Sequence, residues 1–360
     1  MKVLNDLGSW EALVDAGSGE VLLFEDKNQY AVRRIIGGVY PVSNDQRPPD
    51  GVEQQAWPMP FANVTIGGNT VISTAGGTLG CATGTATTAL AGPFIRMNDN
   101  CGAINETAAG DLDLGFGPTP AATDCTVPAG HSVGDTKSSR SGFYELNRIV
   151  EQAKGYLPAN TWLASQVTSN MNINLTCNAF WNGSTVNFYR DNGSQCRNTG
   201  EIAAIFDHEW GHGMDNNGTN PTISQPGEGI ADIHAFLRLQ TSCIGRGFWK
   251  NQTCTGYGDG CNGTPATGCT GIRDIDYTQR RCNRPHTVTY ITQGFTSAQC
   301  GGGAAVPPCP AGGGTPCSRA THCEGSIVGE TAFDLVRRDL TAAPFSLDSN
   351  TAHELGTRLF

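Results

Sequence analysis

The stretch Glu201–Gly218, "EIAAIFDHEWGHGMDNNG", decides how the rest of the chain is read, because it sets His208 and His212 four residues apart with Glu209 between them. On a helix, residues four apart stand one above the other on the same face, so both imidazoles can reach one tetrahedral cation. Glu209 then leans beside that cation, where a carboxylate can take a proton from water made acidic by the metal. Five residues are few enough to recur by chance on an exposed helix, so the surrounding chain has to show what completes the site.

Downstream, the metzincin arrangement is excluded. It needs a Gly seven residues after the first His and a third His or Asp three further on, and those positions are Asp215 and Gly218. Glu228 opens a second helical stretch, "GEGIADIHAFLRLQ", sixteen residues beyond His212, and can set a carboxylate on the same metal. Asp232, one turn on, faces the same way. A metal-bound imidazole usually donates its other N–H to a carboxylate, and Asp232 can serve His208 in that way. Asp215 is the alternative third ligand, although it lies in the "MDNNG" helix end, where Asp and Asn side chains commonly satisfy backbone groups. Thr199 reads as the cap of the first helix, and Ser224 or Pro226 as the start of the second.

The chain has 360 residues, enough for two or three domains. With 47 Gly, 19 Pro and only 16% charged residues, it has the composition of a loop-rich extracellular protein. Fourteen cysteines between Cys81 and Cys323 imply up to seven disulfides and an oxidising compartment. Cys81 with Cys101, Cys177 with Cys196 and Cys309 with Cys317 are the attractive local pairs. A net charge of −10 and the lack of a basic run argue against a nucleic-acid partner. No stretch approaches the ~20 apolar residues of a membrane span. The start "MKVLNDLGSW" has no apolar signal core, and the stripe in "NTAHELGTRLF" stops without a cap, so both ends read as cuts through a longer protein.

Residues 10–23 read as a hairpin around a Gly-Ser-Gly turn, and residues 50–129 as short strands broken by "GGNT", "AGG" and "NDNCG". At residue 135 the period changes: Phe143, Leu146, Ile149, Val150 and Ala153 share one helical face, ended by Gly155 and Pro158. Two strands around Asn182-Gly183 precede the "HEWGH" helix. Residues 243–320 hold eight of the fourteen cysteines and read as a loop-rich, disulfide-stapled insertion. A broad helical stripe follows from Cys323 to Leu340.

The two helices with "HEWGHG" and "GEGIAD" resemble the gluzincin metallopeptidases of the thermolysin and fungalysin families. In that pattern Glu228 is the third ligand and Asp232 the residue behind it. "CNAFWNGSTVNFY" is similar to the thermolysin strand that lies along bound peptide, which implies backbone contacts from Asn178 and Ala179. "HCEGSIVGETAFDL" is similar to a fungalysin segment, which implies that His322 stabilises the tetrahedral intermediate. The resemblance covers residues 135–345 and makes 1–45 a propeptide-tail-like segment. The gap between His212 and Glu228 is shorter than in either family, and it lacks the Tyr that thermolysin places beside the oxyanion.

The expectation is an α+β protein: a β-rich region, 46–134, followed by a thermolysin-like zinc metallopeptidase domain, 135–360. Zinc would be held by His208, His212 and Glu228, with Glu209 as general base and a peptide or protein as substrate. The other reading is a non-catalytic extracellular adhesion or structural protein that keeps the zinc-stabilised scaffold. Either is a secreted protein, and neither fixes an oligomeric state. Asp99, Asp111, Asp113, Asp259, Asp274 and Asp276 can be imagined around Ca2+, but they lack EF-hand spacing and read as solvated turns. His131, His286 and His353 read as surface histidines, and His234 as lying on another helix face from Asp232. Asn63 and Asn251 are glycosylation acceptors in a host that glycosylates.

Overall fold

The computed structural model describes residues 2–5, 8–19, 21–26, 33–81, 83–117, 124–191, 193–218, 227–254, 261, 268–312 and 315–360, so Ser224, Pro226 and Asp259 lie outside the described residues. The architecture is α+β. Three antiparallel strands come first: β1 (Lys2–Asn5), β2 (Gly8–Val14) and β3 (Val21–Asp26), with β2 and β3 forming the expected hairpin. Short strands follow: β4 (Ile35–Val39), β5 (Gln54–Pro58), β6 (Asn63–Ile66), β7 (Asn69–Ile72), β8 (Ala86–Thr88), β9 (Ile95–Asp99), β10 (Glu106–Ala108) and β11 (Leu112–Asp113). They build one sheet in the order β10-β8-β6-β7 and another in the order β11-β4-β5.

Helix α1 (Lys137–Tyr156) begins where the apolar period changes. Thr136 caps it by accepting from the Ser139 amide, and Phe143, Leu146, Ile149 and Val150 are buried. Strands β12 (Val167–Thr176), β13 (Ala179–Trp181) and β14 (Thr185–Arg190) then join β9 in a sheet of order β13-β14-β12-β9. Here β12 runs parallel to both neighbours, and β13 is the antiparallel edge. One large core fills the space between this sheet, α1 and the earlier strands, and it includes Ile202, Ile205, Phe206 and Trp210.

Helix α2 (Ala203–Asn216) packs on that core, and α3 (Gly227–Leu239) packs on α2, with its Ile233 and Phe236 in a second core beside Phe333 and Val336. Beyond them come the two-residue strands β15 (Cys243–Ile244) and β16 (Arg273–Asp274), then α4 (Val288–Gln293), α5 (Thr321–Asp334) and α6 (Ser349–Leu359). Among the described residues no helix is long and apolar enough to cross a membrane.

Several local expectations are corrected. Thr199 does not cap α2, whose first turn has no side-chain cap. Its hydroxyl instead donates to the Asn178 carbonyl and accepts from the Tyr189 amide, tying the residue before β13 to β14. Of the local cysteine pairs only Cys177–Cys196 forms, whereas Cys101 pairs with Cys125 and Cys309 with Cys323. With Cys243–Cys269, Cys254–Cys261 and Cys282–Cys300 there are six disulfides, and Cys81 and Cys317 are free. Six such bridges are typical of extracellular proteins. His286 is fully buried against Glu330, Ser326 and Arg280, and His353 meets the Leu237 carbonyl. Asp99 and Asp274 are buried rather than solvated, and Asp99 is filled by donors from Thr136, Ser139, Asn172 and Cys101.

Candidate metal centre

Helix α2 presents His208 and His212 on one face, and α3 brings Glu228 to them. The three ligand atoms lie within 4.8 Å of one another. Glu228 Oε2 is 3.2 Å from His208 Nε2 and 3.7 Å from His212 Nε2. Close helix packing makes this approach feasible, since a Cβ added at Gly211 of α2 would stand 3.0 Å from Ala231 Cα of α3. Asp215 is not part of the trio. Its carboxylate lies instead beside Gly227 at the start of α3, where a Cβ would stand 3.1 Å from Asp215 Oδ2.

Behind His208, Asp232 Oδ1 accepts from Nδ1 at 2.9 Å, which leaves Nε2 as the ring atom that faces Glu228. Asp232 is in turn gripped by Arg273 of β16, at 2.6 Å from Nε and 2.7 Å from Nη2. This arginine had no sequence signal: it sits in a two-residue strand inside the cysteine-rich segment, placed there beside β15 and the Cys243–Cys269 bridge.

Charge distribution follows the geometry. Burial opposes a charge on His208, but the carboxylates of Asp232 and Glu228 outweigh it and raise the imidazole to about 10. Asp232 falls to about 2, burial being outweighed by Arg273 and His208. Glu228 is likewise driven below the ordinary carboxylate range against its burial, by the two imidazoles. Glu209 moves the other way. It is buried, and burial raises it, although it accepts from the Trp181 amide of edge strand β13.

The donor set suits a divalent transition metal. Two imidazole nitrogens and one carboxylate oxygen match zinc's preferred ligands. Glu228 Oε2 is buried and faces both imidazoles without a well-formed hydrogen bond to either, the position a shared cation would occupy. An ion bound here must displace the proton of His208.

His322, at the start of α5, reaches the same place. Its Nε2 is 3.1 Å from Glu228 Oε1, and burial lowers the ring to about 4, so it is neutral at neutral pH. The reason is a backbone contact between helices: a Cβ on Gly229 would fall 2.4 Å from the Gly325 carbonyl oxygen. Only glycine permits α3 and α5 to touch there.

A hollow of about 50 Å³ adjoins the cluster. Ile205, Ile244, Phe248 and Ile272 form its apolar side, while Asn178, Ala179, His208, Glu209, Arg273 and His322 also line it. Asn178 and Ala179 thus stand beside the cluster at the start of edge strand β13. His234 does not join it: its ring packs edge-on against Trp210.

No protein-family model matches the sequence, and no curated protein matches it. Among solved structures, the precursor of protealysin, a metalloproteinase from Serratia proteamaculans, is similar at 15% identity with a TM-score of 0.39. That similarity covers 59% of this chain and 63% of the other. A likeness at that level leaves the functional reading to rest on side-chain geometry.

Proposed function

We propose that the protein is a secreted zinc-dependent endopeptidase, with a β-rich region over 46–134 and a thermolysin-like catalytic domain over 135–360. The observation that carries this reading is the convergence of His208, His212 and Glu228 beside Glu209, a buried carboxylate outside the ligand trio. His208, His212 and Glu228 would hold the ion, which supplies Lewis acidity: it polarises a peptide carbonyl and makes water acidic.

The chain's own groups do the rest. The peptide lies along the edge of β13, where Asn178 and Ala179 meet its backbone and the apolar hollow takes a side chain. Glu209, raised by burial, takes the proton of the attacking water and passes it to the leaving amine. Asp232 and Arg273 keep the His208 ring oriented. The neutral His322, whose Nε2 meets Glu228 Oε1 at 3.1 Å, would turn its Nε2–H from that oxygen to the one on which charge develops. Six disulfides support an oxidising, extracellular setting.

Hydrolysis of casein, abolished by a chelator and restored by zinc, tests the reading. Glu209→Gln should retain zinc and fold while kcat falls by ~10² to 10⁴, the usual scale of general-base catalysis. Turnover near wild type in that variant would remove Glu209 as the base, and a wild-type protein that holds zinc but cleaves no casein would leave the zinc-stabilised scaffold as the better account.

A further inference from the structure

A second cluster lies away from the first, where β10 meets the segment leading into α1. Ligand atoms of Glu106, His131 and Asp135 lie within 4.8 Å of one another. His131 Nδ1 is 2.8 Å from Glu106 Oε2 and 3.1 Å from Asp135 Oδ2. Asp135 is wholly buried, Glu106 is 6% exposed, and the His131 side chain is 18% exposed. The chain brings them together by pairing 131–134 against 103–106: the Gly134 amide donates to the Ala103 carbonyl, and the Asn105 amide to Ser132 Oγ.

An ordinary ion pair accounts poorly for three features. First, the second oxygen of each carboxylate is already engaged. Glu106 Oε1 accepts from the Ser132 amide and hydroxyl, and Asp135 Oδ1 from Arg140. The oxygens left over are the two that face His131, as outer hydrogen bonds orient metal ligands. Second, Asp135 Oδ2 is buried with no hydrogen-bond partner of proper geometry, because a single N–H at Nδ1 cannot serve two carboxylates well. Third, the local charge does not close. Arg140, itself fully buried, is shared between Asp135 and the buried Glu53. Three carboxylates against one guanidinium leave two negative charges. A protonated His131 cancels one of them, and a divalent cation cancels both.

We propose that Glu106, His131 and Asp135 form a second divalent-cation site, of the zinc class, that pins the β-rich segment to the start of α1. The nitrogen ligand selects zinc over calcium, which prefers an all-oxygen shell. Ligand atoms around tetrahedral zinc are about 3.4 Å apart for ~2.1 Å bonds. His131 Nδ1 stands 2.8 and 3.1 Å from the two oxygens, so a small outward shift of the ring brings those two spacings to the coordination distance. The proposal does not depend on peptidase activity.

The test uses the full chain with His208 and His212 both replaced by Ala, which removes the first centre. This variant should retain one equivalent of zinc by elemental analysis, and added zinc should raise its Tm by several degrees where calcium does not. Adding Glu106→Gln, which preserves the oxygen that accepts from Ser132, should abolish both effects. Zinc content of zero, an equivalent that survives Glu106→Gln, or a Tm that answers to calcium alone overturns the proposal. Should the double variant not fold, cobalt loading decides it on otherwise unaltered protein: two equivalents in the wild type and one in Glu106→Gln support the site, and equal loading rejects it.

Discussion

The α2–α3 cluster and the β10–α1 cluster are built from the same side-chain types, yet their surroundings differ. At α2–α3, the buried carboxylate of Glu209 stands outside the ligand trio, and an apolar hollow of about 50 Å³ opens beside it. At β10–α1, the remaining carboxylate oxygens are taken by Ser132 and Arg140, and Gly115 and Pro128 close over the outer edge of His131: a Cβ on Gly115 would fall 2.8 Å from Nε2. A ligand set therefore does not by itself make a reactive centre. A spare base and room for substrate separate a site that can do chemistry from one that can only hold parts together.

The largest effect that could break this contrast is loss of the third ligand. Glu228→Ala removes the charged oxygen donor and should weaken zinc by well over ~100-fold, more than a change behind a ligand does, with casein hydrolysis lost in parallel. Asp215→Ala should leave both unchanged, as should Glu106→Gln for kcat/KM. If Asp215→Ala alone empties the centre, the trio is misassigned.

Next comes His322. Its replacement by Ala should keep zinc and near-normal KM while kcat falls by roughly 10² to 10³, the scale of one lost oxyanion donor. Its contact with Glu228 Oε1 offers a sharper outcome. If zinc affinity drops instead, and kcat at saturating zinc is normal, His322 only positions the ligand.

The smallest of the three concerns the support behind His208. Asp232→Asn keeps the shape but weakens the acceptor of the Nδ1 proton, so zinc affinity or activity should fall by about 10- to 100-fold with the fold retained. Unchanged zinc affinity and kcat/KM would show that Arg273 and the packing of α3 orient His208 without that carboxylate.

Some of this was legible beforehand because it repeats at short range. The face of Phe143, Leu146, Ile149 and Val150, the Asn182-Gly183 turn and the four-residue spacing of His208 and His212 each lie within one element, and all are found in place. The cysteine pairing was not legible in this way. Cys309 skips the nearer Cys317 for Cys323, and Cys101 joins Cys125 rather than Cys81, because bond formation follows Cα separation in space, not along the chain. His131 and His286 sit among polar neighbours in sequence, yet each is drawn against carboxylates by chain segments far from it.

What the sequence determined alone was the helical pitch, which puts both imidazoles on one face with Glu209 beside them. Which carboxylate completes the trio, where His322 stands and why Arg273 matters were decided only by tertiary packing. Gly211 lets α3 close on α2, Gly229 and Gly325 let α5 touch α3, and the Cys243–Cys269 bridge holds the short β15–β16 pair whose arginine reaches Asp232. Such contacts join residues that are about twenty to nearly a hundred positions apart. Periodicity carries no information about them, because it describes how one element turns and not where its neighbours come to rest.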